Sequence, residues 1–93
     1  MLRITEQRAP DRIVLRLEGR LSGEWVRQVD WSWRGAKASG HGASIWIDLT
    51  DVCRVDAAGE ALLARMHHAG VRFVTRGCAM RELVHEIQGS ESR

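Results

Sequence analysis

The sequence has little of what marks several common classes of protein. Its 93 residues include no tyrosine, one phenylalanine, one proline and two cysteines. Cys53 and Cys78 stand apart, without Cys-x-x-Cys spacing, which argues against a disulfide framework and against a cysteine-based zinc site. We expect both to be small apolar side chains in the core.

Long apolar runs and a strong excess of one charge are also missing. No apolar stretch approaches the roughly 20 residues that cross a bilayer, and the first residues lack the apolar segment of a signal peptide. Fourteen Lys and Arg against 12 Asp and Glu give a net charge of +2, and the basic residues are scattered. We expect a cytoplasmic protein with no direct membrane insertion and no nucleic-acid partner.

The length and composition are those of one small globular domain. With 44% hydrophobic and 28% charged residues, the chain has enough apolar side chains for one modest core and no room for a second domain. We expect the domain to cover residues 1–88. Residues 89–93 are expected to form a flexible C-terminal tail.

The first half of the chain predicts a β-hairpin followed by a helix. The hairpin lies between residues 2 and 17 and turns at residues 9–12, which include proline and aspartate. Ser22 is placed to cap the helix, and the small residues of 35–42 predict a mobile connection after it. Trp31 points away from the apolar side, so it contacts a partner or is partly covered by the following loop. That apolar side is formed by Trp25, Val26, Val29 and Trp33.

The second half predicts strand, helix, strand and a final short helix. Residues 45–49 are nearly all apolar, which is typical of a strand covered on both faces in a parallel sheet, with Trp46 in the core. A helix over residues 57–69 ends at Gly70, and a strand over 71–75 follows. The apolar stripe of that helix is formed by Ala58, Leu62, Leu63, Met66 and Ala69, and the final helix is marked by Ala79, Met80, Leu83, Val84 and Ile87. The order ββαβαβα predicts an α/β domain with a four-stranded mixed sheet packed against helices.

Residues 45–59, IWIDLTDVCRVDAAG, resemble the signature of the STAS family, which includes the anti-anti-sigma factors. In that signature a buried strand ends in Asp-Leu-Ser, and a short loop leads through Val or Ile to Asp-Ser-Ser-Gly at the head of a helix. Residues 19–22, GRLS, are similar to the family's Gly-x-Leu-Asp after the second strand. The resemblance extends over residues 2–87 and implies a STAS-like domain that binds a protein partner.

The same resemblance shows where this sequence departs from the family. In phosphorylation-regulated anti-anti-sigma factors, the first hydroxyl residue after the motif aspartate accepts phosphate from an anti-sigma kinase, and the added charge abolishes their complex. That position is Ala57 here, and the next family hydroxyl is replaced by Ala58. Glu60 stands where the family usually has an apolar residue. We therefore expect no phosphorylation switch at this site.

The start of the helix at residue 57 is the predicted binding surface. Its free backbone N–H groups can donate hydrogen bonds to a carboxylate or a phosphate, and Asp56 either caps them or contacts a ligand or partner. Asp48 is expected to brace the same loop. The outer side of the helix is a strip of small residues that either receives a partner or reflects the helix propensity of alanine. The candidate partner-binding residues are Asp56, Ala57, Ala58, Gly59, Glu60, Ala61, Ala64, His68 and Trp31.

Two functions remain open at this point. The first is a protein-interaction module whose partner is an anti-sigma or kinase-like protein, or a component of a transport complex. The second is a sensor that holds an anion or nucleotide at the start of the helix. The chain lacks P-loop spacing and a nucleophile paired with a base, and the adjacent His67 and His68 project about 100° apart, which does not suit one metal ion. We therefore expect no enzymatic activity, cofactor or metal.

Overall fold

The computed structural model describes residues 1–75. The elements in this range are β1 (Leu2–Ala9), β2 (Arg12–Leu21), α1 (Glu24–Ser39), β3 (Ser44–Val55), α2 (Ala57–His68) and β4 (Arg72–Val74). This succession confirms the predicted order up to the last strand. The final helix and the tail over 89–93, together with Cys78, lie outside the described residues. Neither α1 nor α2 is long and apolar enough to span a membrane.

The four strands form one mixed sheet in the order β1-β2-β3-β4. β1 pairs with β2 antiparallel across the two-residue turn Pro10-Asp11, as the sequence predicts, whereas β3 is parallel to both β2 and β4. The helices α1 and α2 each connect neighbouring parallel strands. Because such crossovers are right-handed, both helices pack on the same face of the sheet.

The hydrophobic core lies between that face of the sheet and the two helices. β2 contributes alternate residues to it, and β3 contributes Ile45, Ile47 and Leu49, of which Ile45 and Ile47 pair with Ile13 and Leu15. Trp46 is only half-buried on the other face, under the guanidinium of Arg72, 5.6 Å from the ring centroid. The prediction that β3 is covered on both faces, with Trp46 in the core, was therefore wrong, because both described helices lie on one side. The remaining core side chains are Leu2, Ile13, Leu15, Leu17, Leu21, Val26, Val29, Trp33, Ala36, Val52, Leu62, Leu63, Met66 and Val71.

Helix α1 continues through the segment that was expected to be a mobile connection. Ala36 is buried three residues after Trp33, so the apolar stripe extends one more turn, while Trp25 at the start is only half-buried. The chain turns after Gly40, where His41 and Gly42 take positive φ values of 49° and 86°. Residues 35–39 include no proline, so the backbone hydrogen bonds of the helix continue through these small residues.

Strands β2 and β3 also continue past the predicted ends. Residues 50–55 of β3, expected as a loop, pair with Glu18–Leu21 of β2 through two register shifts, each of which adds one residue to β3. Cys53 lies in this segment with an exposed side chain, and its thiol lies 3.4 Å from the carbonyl oxygen of Gly19. The expectation that Cys53 fills the core was wrong, because the shifted register turns it outward.

The buried side of α2 agrees with the prediction at its leucines and methionine but differs from it at three other positions. The structure buries Gly59, Leu62, Leu63 and Met66, whereas Ala58 and Ala69 are exposed. Gly59 explains the difference, because an added Cβ there would lie 2.6 Å from the carbonyl oxygen of Leu21 and 2.8 Å from a Val55 methyl carbon. The helix therefore approaches the sheet along its glycine, a residue that a hydrophobic pattern does not detect. Gly70 follows the helix with φ of 89°, as predicted.

We predict that Gly59→Ala lowers the free energy of unfolding by about 1–3 kcal/mol, because the new methyl group overlaps backbone that cannot move easily. Gly35→Ala in α1 is the matched control. No atom lies within 4 Å of its added Cβ, so the better helix propensity of alanine should stabilise the chain by up to about 1 kcal/mol. Urea denaturation measures both. Equal stability of the two variants would contradict the close packing of α2 on β2.

Candidate functional site

The carboxylate of Asp56 joins the starts of the two helices. Asp56 follows β3 and is the N-cap of α2, where its Oδ1 accepts a hydrogen bond from the N–H of Gly59 at 2.8 Å. Its Oδ2 accepts a second bond from the N–H of Gly23 at 2.9 Å, just before α1. The backbone N–H of Asp56 donates to the carbonyl of Leu21 at 3.2 Å. One side chain therefore fixes the corner between β2, β3 and both helices.

These two hydrogen bonds keep Asp56 charged. The bond from Gly23, followed by that from Gly59, lowers the pKa of the Asp56 carboxyl below its ordinary value, since both stabilise the ionised form. The exposed Glu60 adds a second carboxylate in the first turn of α2. Two carboxylates of the chain itself, those of Asp56 and Glu60, thus already lie at the N-terminus of α2. This charge opposes the binding of a further anion at the same place.

The predicted site residues fall into three environments. Gly59 is buried against β2, and Ala64 is half-buried. Trp31 lies on α1 and is 81% exposed. His68, at the last position of α2, lies about 16 Å along the helix from its first residue, given the rise per residue. Among the predicted site residues, those exposed on α2 are Ala57, Ala58, Glu60, Ala61 and His68. The structure therefore brings together the alanines and Glu60 at the helix start, next to the half-buried Asp56.

Two parts of this corner were missed by sequence reasoning. Gly23, not Ser22, occupies the N-cap position of α1, with φ of 57°, and no side chain of the helix itself caps it. Asp56, 33 residues away, supplies the acceptor instead. Asp48 accepts a bond from the N–H of Thr50 at 2.9 Å, so it braces its own strand and not the loop before α2. The glycine between Leu21 and α1 was the available signal, because a positive φ favours glycine.

We predict that Asp56→Ala lowers the melting temperature at neutral pH by several degrees, because two backbone N–H groups lose their acceptor. Asp56→Asn, which keeps an acceptor but no charge, is the control. Since the folded pKa is depressed, the charge stabilises the fold above the ordinary pKa of 3.8, and this gain is lost as the pH falls through the lower folded pKa. The wild-type advantage over Asp56→Asn should therefore shrink in acid. Parallel melting curves at every pH would contradict this role.

The fold of this chain is shared with several solved structures. The anti-sigma factor antagonist SpoIIAA, in its unphosphorylated form, matches with a TM-score of 0.66 and 21% identity over 89% of this chain and 82% of its own. An uncharacterized protein from Shewanella loihica with a SpoIIAA-like fold matches with a TM-score of 0.57 and 16% identity, covering 85% of this chain and 70% of its own. A part of Mglu matches with a TM-score of 0.60 and 23% identity, over 80% of this chain but 19% of Mglu.

The comparisons by sequence gave a different result. No protein-family model matches the chain, and no curated protein matches it. The likeness therefore lies in the arrangement of the strands and helices. This chain has the SpoIIAA-like fold, which is the fold that the resemblance of residues 45–59 predicts.

Proposed function

We propose that this chain is a non-enzymatic protein-binding module of the anti-sigma factor antagonist type, which docks its partner through the start of α2. The observation that carries the proposal is the exposed Ala57, the first residue of α2, directly after the cap Asp56. The STAS resemblance assigns the phosphorylated hydroxyl to this position. The shared fold with SpoIIAA, an anti-sigma factor antagonist, supports the same type of function.

The shape of the helix start suits close contact with a protein. Ala57 and Ala61 are four residues apart and therefore neighbours on the helix surface, and Ala58 extends the same area. All three side chains are exposed methyl groups, so a partner can approach the helix backbone without displacing a long side chain. The Asp56 bonds and the packing of Gly59 hold this surface in place before binding, which reduces the entropy lost on association.

The proposed docking has no phosphorylation switch at this corner. Alanine carries no hydroxyl, so neither Ala57 nor Ala58 can accept a phosphate. Asp56 and Glu60 already place two carboxylates there, so the partner must tolerate or prefer negative charge at the contact. We infer that the chain binds constitutively through this surface and that any regulation acts elsewhere.

The similarity to SpoIIAA favours an anti-sigma or kinase-like protein as partner over a component of a transport complex. A cytoplasmic location is part of this proposal. The alternative of a sensor for anions or nucleotides has less support, because Asp56 occupies the amide of Gly59 and its charge opposes an anionic ligand.

We predict that Ala61→Arg and Ala57→Asp each weaken partner binding at least about tenfold, because each places a long or charged group in the contact. Ala38→Arg, at an exposed alanine of α1, is the matched control and should bind normally. The partner is captured from the source organism by the wild-type chain, identified by mass spectrometry, and titrated by calorimetry against each variant. Equal affinity for all variants would remove the start of α2 from the interface.

We predict that Ala57→Ser creates a phosphate acceptor if the captured partner is a kinase of the anti-sigma type. The variant should gain one phosphate on incubation with the partner and ATP, and the modified chain should lose binding, because the added charge lies in the contact. Intact-mass measurement detects the change, and Ala38→Ser controls for unspecific phosphorylation. Equal phosphorylation of the wild-type chain and Ala57→Ser, or none of Ala57→Ser by an active kinase, would contradict the assignment of this position.

A further inference from the structure

The outer side of α1 carries a tryptophan that the core does not use. Trp31 is 81% exposed, whereas Trp33, two residues later, is 6% exposed and belongs to the core. An indole ring buries a large apolar area when a partner covers it, and tryptophan is enriched among the residues that dominate protein interfaces. Trp31 is therefore a candidate contact residue for a partner, because the packing of the described residues does not use its side chain.

Trp31 lies in a shallow groove of about 470 Å³ whose other lining residues are Arg27, Gln28, Asp30 and Arg34. Arg27 precedes the tryptophan by four residues and Arg34 follows by three, so both guanidinium groups flank the ring on one helix face. Asp30 accepts a hydrogen bond from Arg34 Nε at 3.0 Å. Within residues 1–75 Arg27 has no ion-pair partner, so the groove keeps an uncompensated positive charge next to an apolar ring.

We propose that the α1 face, defined as Arg27, Trp31 and Arg34, binds an acidic segment of the partner protein. The segment would place an apolar side chain against the indole and carboxylates against the guanidinium groups, with Arg27 as the main ionic contact. This proposal rests on the proposed function, since it requires a protein-binding module, and deepens it by giving the chemistry of the partner at a second surface.

The charges around this groove argue against two other occupants, a second copy of the chain and a nucleic acid. If two copies met through Trp31 with antiparallel helices, Arg27 of one would lie beside Arg34 of the other, and like charges repel. A nucleic acid would find two guanidinium groups and one ring, but not the extended basic groove that follows a phosphate backbone. An acidic protein segment of limited length fits this pattern.

The test uses a random peptide library displayed on phage and selected on the purified wild-type chain. Selected peptides should combine a large apolar residue with two or more acidic residues. Their affinity should fall at least about tenfold on Trp31→Ala and on Arg27→Glu, and it should weaken with added salt. Arg3→Glu, the same charge change at an exposed arginine of β1, is the control and should bind normally. Because Trp31 is exposed, its replacement should leave the melting temperature unchanged, which shows that loss of binding is not unfolding.

Peptides without acidic enrichment, or peptides that bind Trp31→Ala as well as wild type, would overturn the proposal. A dimer in sedimentation that Trp31→Ala dissociates would assign the groove to a second copy. Tight binding of a random single-stranded oligonucleotide, lost in Trp31→Ala, would assign it to nucleic acid. The variants separate the two proposals: loss of the captured partner in Ala61→Arg alone supports the α2 surface and overturns the α1 face, and loss in Trp31→Ala alone does the reverse.

Discussion

The carboxylate of Asp56 is the interaction on which the geometry of the site depends. Because β2 and β3 are parallel, their carboxyl ends lie at the same end of the sheet, so the starts of α1 and α2 become neighbours. Each start exposes N–H groups that need acceptors. Asp56 satisfies one of them from each helix, at Gly59 and at Gly23. Since its two oxygens point to different helices, the side chain fixes their relative position as well as capping one of them.

The inner side of α2 packs against the sheet, whereas its outer side is exposed. Gly59 brings the helix against the end of β2, where an added Cβ would meet the carbonyl of Leu21. Asp56 accepts a hydrogen bond from the N–H of Gly59 in the same turn. The side chains of the alanines at 57, 58 and 61 take no part in either contact and are exposed. A change of side chain at position 57 therefore alters the surface offered to a partner without removing a contact that the fold uses.

The sequence predicts those features that depend on neighbouring residues. Apolar spacing was sufficient for the order of the elements to β4, and the segment 45–59 was sufficient for the strand-to-helix corner. The length of β3 was missed because its second half pairs with β2 through register shifts, which depend on a strand far away in the sequence. The burial of Gly59 on the inner side of α2 was missed because glycine is not hydrophobic, whereas the buried leucines and methionine there were predicted. The cap on α1 was missed because its acceptor is 33 residues away.

The two surfaces proposed for binding carry opposite charges on the same side of the sheet. The start of α2 presents Asp56 and Glu60, whereas the α1 face presents Arg27 and Arg34 beside Trp31. Trp31 lies about 10 Å along α1 from its first residue, given the helical rise. Because Asp56 ties the two helix starts together, this separation of charge is a fixed property of the domain. A partner that covers both surfaces needs the reverse arrangement, which would align it in one orientation and exclude proteins of uniform charge.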